Sequence, residues 1–142
     1  MTISNANLYN WPANLKEVRE QRILTVLPEE NNLQLLIGSE NIYSFSVICS
    51  SDEITIAKMI LPTNRYSEIE AHEGDEFLNV LKGRLIVTVF TEEENTNPDS
   101  VSRYAYQINP GEKMFIPEGC RHMYKNLTPG NVEAVVAIAP RL

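Results

Sequence analysis

At 142 residues, with 43% hydrophobic and 22% charged positions, the chain has the size and composition of one globular domain that can bury a core, which excludes disordered and fibrous classes. No apolar run approaches the roughly 20 residues that cross a bilayer. A net charge of −7 argues against a general nucleic-acid or anionic-membrane binder, because both need a basic face.

The first residues, Met1-Thr2-Ile3-Ser4-Asn5, lack the basic start and apolar stretch of a secretory signal. Trp11-Pro12-Ala13-Asn14 leads into a predicted helix over Leu15 to Ile23, with Leu15, Val18, Arg19 and Arg22 at helical spacing and Pro12 near its first turn. Residues 1–27 are therefore expected to form an N-terminal helical segment. Residues 28–142 are expected to form a β-barrel within the same single domain.

Short β-branched or aromatic runs predict strands over Leu33–Ile37, Tyr43–Cys49, Ile54–Ile60, Glu76–Leu81 and Arg84–Thr91. Further strands are predicted over Tyr104–Ile108, Lys113–Ile116, His122–Lys125 and Val132–Ile138. Turn-forming clusters separate them: Gly38-Ser39, Ser50-Ser51-Asp52, Lys82-Gly83, Asn109-Pro110-Gly111 and Thr128-Pro129-Gly130-Asn131. Roughly nine strands with no helix between them point to a sandwich or barrel. The polar stretch Glu92–Ser102 reads as an exposed loop, with Glu92-Glu93-Glu94 a solvated run. The two cysteines, Cys49 and Cys120, cannot build a multi-bridge framework and suggest a reducing, cytoplasmic setting.

Both histidines stand beside carboxylates or turn glycines. His72 lies in Glu70-Ala71-His72-Glu73-Gly74-Asp75-Glu76, and His122 follows Pro117-Glu118-Gly119-Cys120-Arg121. Imidazole nitrogens and carboxylate oxygens are the usual ligands of divalent transition metals. Alternation puts Glu68, Glu70 and His72 on one face, and Glu76, Leu78 and Val80 on one face of the next strand, so His72 and Glu76 can meet across a hairpin. His122 and Tyr124 share a face on a third segment. Tyr124, or Tyr106 on a nearby strand, can orient a substrate or act as a general acid, although a packed tyrosine with its hydroxyl satisfied is the commoner role for each. Lys58, flanked by apolar residues, is a better candidate for holding an anion than Arg65 or Arg121, with a solvated edge lysine an equal reading, and alternation turns Arg121 outward. Cys120 reads as a small packed residue, because no helix N-terminus or nearby cation activates it.

The segment from Asn64 to Gly83 resembles the first cupin motif, G-x5-H-x-H-x3-E-x6-G, with His72, Glu76 and Gly83 in register. The segment from Gly111 is similar to the second, G-x5-P-x-G-x2-H-x3-N, at Gly111, Pro117, Gly119, His122 and Asn126. Two positions depart: Asn64 replaces a glycine, which asparagine's tolerance of left-handed turns allows, and Glu70 replaces the first histidine. The resemblance implies an all-β, antiparallel jelly-roll barrel of six to eight strands with a short N-terminal helix. It also implies a metal held by Glu70, His72, Glu76 and His122. Two carboxylates in that set favour Mn²⁺ or Fe²⁺ over Zn²⁺ or Ni²⁺.

The function this implies is metal-dependent chemistry on a small oxygen-rich molecule: a carboxylate, diketone, enol or sugar. A metal Lewis acid would stabilise an enolate-like anion, with Glu70, Glu76 or Tyr124 moving the proton. Dioxygenase, isomerase, decarboxylase and lyase chemistry are all consistent with it. The alternative is a non-catalytic ligand-binding or sensor barrel; a metal-free epimerase would need a further histidine. A homodimer is expected, because barrel edge strands need covering and Leu33–Ile37 is apolar enough to pair with a second copy.

Overall fold

The computed structural model describes residues 10–38, 43–92 and 101–140. Nine strands occur among them: β1 (Leu33–Ile37), β2 (Tyr43–Ser50), β3 (Thr55–Leu61), β4 (Asp75–Lys82), β5 (Leu85–Glu92), β6 (Val101–Ile108), β7 (Lys113–Ile116), β8 (Arg121–Asn126) and β9 (Val132–Ala139). They form two sheets, one ordered β1-β2-β3-β9-β4-β7 and one ordered β6-β5-β8. Every pairing between strands is antiparallel.

Side-chain alternation is what makes these segments strands. On β3, Thr55, Ala57, Met59 and Leu61 are buried while Ile56, Lys58 and Ile60 are half-buried. On β9, Val132, Ala134, Val136 and Ile138 alternate with Glu133, Val135 and Ala137 in the same way. Each strand thus offers one apolar face, and the two sheets bury those faces against one another in a single core that includes Phe45, Met59, Leu78, Leu85, Val87 and Val136.

The predicted strands agree with the observed ones to within a residue or so, with one larger difference. Glu92, Val101 and Ser102, expected in a loop, belong to β5 and β6, where Glu92 pairs with Val101 and Thr91 with Ser102. β6 is an edge strand on which Arg103, Tyr104, Ala105, Tyr106 and Gln107 are all exposed, so it shows no apolar alternation. Residues 93–100 of the expected loop, Glu93 and Glu94 included, and the first residues, 1–9, lie outside the described residues.

The N-terminal helix α1 (Leu15–Gln21) is shorter than predicted. It stops because Arg22 takes a left-handed conformation, with φ at 55°, and its N–H bonds back to Arg19. None of its residues is buried. The segment is attached instead through Trp11, which exchanges backbone hydrogen bonds with Ser50 and donates its indole N–H to the carbonyl of Asn31 at 2.9 Å. No helix among the described residues is long and apolar enough to cross a membrane.

Between β3 and β4 the chain crosses from one sheet past the edge of the other. Isolated bridges join Tyr66 to Lys125 and Glu70 to His122, so the segment runs antiparallel beside β8. Asn64 opens this crossing with φ at 60°, the left-handed turn expected where the motif carries glycine. The motif asparagine, Asn126, is wholly buried and pins the far end. Its amide donates to the carbonyls of Leu61 and Gly130, both at 2.9 Å, and its Oδ1 accepts from the N–H and hydroxyl of Thr128. Asn126 is therefore a structural residue, locking the β8–β9 turn to the end of β3.

Candidate metal centre

Two turns carry the site, and they are stapled together. Gly74, at φ 86°, turns the chain between His72 and Glu76, and a Cβ there would lie 2.6 Å from the carbonyl oxygen of Ala139. Only glycine fits that position. The Gly74 N–H donates to Glu118 Oε1 at 3.1 Å, the Glu118 N–H donates to Asp75 Oδ1 at 2.9 Å, and the Gly119 N–H donates to the His72 carbonyl at 3.2 Å. The Pro117-Glu118-Gly119 turn is thereby fixed against the His72–Glu76 turn. On the other side, Glu70 and His122 exchange both backbone hydrogen bonds, at 2.8 and 2.9 Å, which sets their side chains beside each other. Ser67 locks the same crossing, its N–H donating to the Tyr124 carbonyl and its hydroxyl accepting from the Tyr124 N–H.

Three candidate ligands converge. One ligand atom from each of His72, Glu76 and His122 lies within 4.8 Å of the other two. Glu76 and His122 are fully buried, whereas His72 is only partly so. Glu70 Oε2 lies 3.9 Å from His122 Nε2, as does Glu76 Oε2. Tyr124 donates its hydroxyl proton to Glu76 Oε2 and also lies 3.2 Å from His122 Nε2. Tyr43, from β2 on the opposite sheet, donates to Glu70 Oε1 at 2.9 Å.

Counting protons shows what this arrangement lacks. His122 Nδ1 faces the Cys120 carbonyl at 2.8 Å and His72 Nδ1 faces the Glu73 carbonyl at 3.2 Å. A carbonyl only accepts, so each Nδ1 carries a hydrogen and each ring turns its Nε2 inward. His72 Nε2 meets Glu76 Oε1 at 3.1 Å, a contact that takes either a second proton on the ring or a cation at the two atoms. The phenolic proton of Tyr124 is committed to Glu76, which leaves His122 Nε2 without one. Glu70 Oε2 is buried with no hydrogen-bond partner. A buried acceptor left in this way is costly, and either an added proton or a cation relieves it. Carbonyl-anchored imidazoles beside carboxylates are what a divalent metal requires, so the residues present fit one.

The electrostatics agree. The hydrogen bond to Glu76 raises the His72 pKa above its ordinary value, against the opposing effect of burial. Burial raises that of Glu70, and the Tyr43 hydrogen bond only partly opposes it. Burial, reinforced by the neighbouring carboxylates, pushes Tyr43 and Tyr124 up, so both hydroxyls keep their protons at neutral pH.

Of the residues singled out in the sequence, His72, Glu76 and His122 converge and Tyr124 is hydrogen-bonded to Glu76, whereas Glu70, expected as a fourth ligand, stands outside the converging three and approaches His122 alone. Glu68 does not: it is exposed, and the crossing segment is not the regular strand that would have put it on the same face. Lys58 is also corrected. It points away from the core and pairs with Glu133 at 3.6 Å, because the neighbours Ala57 and Met59 take the inward phase. Arg65 is exposed. Arg121 faces outward as expected, its guanidinium 5.9 Å from the Phe90 ring, with Arg103 on the same ring. Tyr106 pairs with Val87 on the inner side of its sheet but is half exposed at the edge. Cys120 is half-buried against the core, and its carbonyl orients His122. Tyr43, Ser67, Asp75 and Glu118 were not foreseen. Glu118, between the motif's proline and glycine, had a local signal; Tyr43 had none.

The cupin-domain family profile matches residues 57–138, more than half of the chain and the span that holds His72, Glu76 and His122. No curated protein sequence matches. Solved structures share the architecture at low identity. A protein of Bacillus halodurans is 21% identical, with a TM-score of 0.53 over 63% of this chain and 64% of its own. A recombinant oxalate oxidase in complex with glycolate is 20% identical, with a TM-score of 0.54, and this chain spans only 42% of its length. An RmlC-like cupin with a double-stranded β-helix fold from Methanocaldococcus jannaschii is 14% identical, with a TM-score of 0.55 over 76% of this chain and 89% of its own. Likeness at this level concerns the fold, which here is the antiparallel double-stranded β-helix that the motif resemblance implied. The family match covers both motifs, and this chain belongs to the cupin domain family.

Proposed function

We propose that this cupin is a metal-dependent protein acting on a small oxygen-rich metabolite, a carboxylate, diketone, enol or sugar, by dioxygenase, isomerase, decarboxylase or lyase chemistry. The observation that carries the reading is the shortage of protons among buried, converging acceptors, above all the partnerless Glu70 Oε2. His72, Glu76 and His122 would hold the ion, with Glu70 as a fourth donor. The two carboxylates favour Mn²⁺ or Fe²⁺ over Zn²⁺ or Ni²⁺. When bound, the metal supplies Lewis acidity that stabilises an enolate-like anion. Tyr124 keeps its proton at neutral pH and holds it at Glu76 Oε2, where it can be given to a developing anion. Glu70 or Glu76 accepts a proton in return. His72, only partly buried, marks the entrance.

Metal analysis of the purified protein tests this. Chelation should lower the melting temperature by several degrees and Mn²⁺ or Fe²⁺ should restore it, since a ligand that binds only the folded state adds about 3 kcal/mol at a hundredfold excess over Kd. An unchanged melt with no metal detected would leave an inert barrel. Turnover is then sought under air and under nitrogen, with oxalate and glycolate among the first compounds because they are small oxygen donors of the proposed class. Binding without turnover would favour the ligand-binding or sensor reading.

We also propose that a second copy of the chain covers β1. That strand is an end strand of its sheet, Leu36 on it is 76% exposed, and Leu24 and Val26 just before it are 99% and 87% exposed. An open edge beside exposed apolar side chains of the same chain suits a two-fold interface. Light scattering should report a dimer for the parent and a monomer for Leu36→Glu; a monomeric parent removes this reading.

A further inference from the structure

Tyr43 lies outside both motifs, on the sheet opposite the crossing segment, yet it reaches the site. Its side chain is 2% exposed, its ring packs in the core, and its hydroxyl donates to Glu70 Oε1 at 2.9 Å. The Glu70 main chain is already fixed by its paired hydrogen bonds to His122. With the backbone and one carboxylate oxygen both held, the remaining oxygen has little freedom. That oxygen, Oε2, is buried with no hydrogen-bond partner, and it lies 3.9 Å from His122 Nε2.

The same arrangement occurs at the other glutamate. Tyr124 holds Glu76 Oε2 and leaves Oε1 beside His72 Nε2. Each glutamate thus has one oxygen held by a buried tyrosine and the other turned toward an imidazole, although at Glu76 the held Oε2 also lies 3.9 Å from His122 Nε2. A carboxylate tethered by one oxygen offers a metal the other alone, which keeps neighbouring coordination positions free for substrate oxygens.

We propose that Tyr43 is a positioning residue, which turns Glu70 Oε2 toward His122 as a single-oxygen metal donor and so lets a glutamate stand where the family motif has a histidine. This rests on the reading that the site holds a metal with Glu70 among its ligands. Tyr43→Phe removes the hydroxyl and keeps the ring, so packing is preserved while the tether is lost.

The experiment measures Mn²⁺ affinity by calorimetry and the Mn²⁺ electron paramagnetic resonance spectrum for the parent, Tyr43→Phe, Glu70→Gln and the double variant. Loss of an outer hydrogen-bond partner typically weakens metal binding by about 10- to 100-fold. Tyr43→Phe should fall in that range and change the spectrum, with little change in the metal-free melting temperature. In the Glu70→Gln background the same substitution should weaken binding no further, because the residue it acts through is gone. Unchanged affinity and spectrum in Tyr43→Phe overturn the inference while the metal reading stands. So do additive losses in the double variant, and so does a Tyr43→Phe chain that fails to fold, since the hydroxyl would then serve the fold. A parent that binds no Mn²⁺ removes the metal reading and this inference with it.

Discussion

Glu70→Gln is expected to fold normally and to bind Mn²⁺ about a hundredfold more weakly than the parent, at the top of the range caused by losing a mere supporting contact. The glutamine keeps the shape of the side chain. It loses the negative charge, and a neutral oxygen is a poorer donor to a hard cation. Glu70→His is expected to behave differently. It restores the motif's commoner set of three histidines and one glutamate, so binding should persist and preference should move toward Ni²⁺ or Zn²⁺, the ions better suited to nitrogen donors. Metal content after competitive loading with the four ions reads both outcomes. If both variants keep metal content and lose only turnover, Glu70 is a base beside the ion and not a ligand. If neither differs from the parent in content, preference or activity, Glu70 has no part in the site.

Metal-free stability and metal affinity should respond to pH in opposite directions. The ordinary pKa of His72 is 6.5 and that of Glu70 is 4.5, and both are raised in the folded chain. Between the ordinary and the folded value of each, the folded chain binds more protons than the unfolded one, so stability falls as pH rises. The contribution is complete below the ordinary value and lost as pH climbs through the folded one. In chelator, the melting temperature should therefore drop on going from mildly acidic to mildly alkaline solution. Metal binding needs His72 and Glu70 deprotonated, so Mn²⁺ affinity should rise over the same interval. Where both groups are still protonated the gain approaches about a hundredfold per pH unit, one factor of ten for each proton displaced. Parallel melts in chelator and in Mn²⁺, taken across that interval, should diverge as pH rises. Melts that keep a constant separation would show that neither proton competes with the metal.

Local periodicity explains what could be read from the chain in advance. β3, β8 and β9 alternate buried and less buried residues almost without interruption, and that pattern follows from strand geometry alone. His72 and Glu76 were legible because the tight Gly74 turn places them by sequence spacing, whereas His122 was joined to them by the motif resemblance. Phase failed where a strand was assumed and none exists. Glu68 was grouped with Glu70 by counting in twos, but the crossing segment touches β8 only through isolated bridges and does not keep that count. Lys58 shows the complementary difficulty, since a lysine between apolar residues looks the same whichever way its strand faces. Its neighbours' partners on β9 decided that it meets Glu133 in water.

The amino-acid order alone thus settled the all-β class, the strand positions and the meeting of His72 with Glu76, because each depends on residues close together in the chain; His122, far along the chain, joined them only through the motif resemblance. Which acceptors end up short of a proton, and which tyrosine reaches which glutamate, was decided only by tertiary structure. Tyr43 meets Glu70 across 27 positions and Tyr124 meets Glu76 across 48, from opposite sheets. No local pattern encodes such pairs. They exist because burying both apolar faces brings the sheets into contact, and the polar groups trapped between them must then satisfy one another.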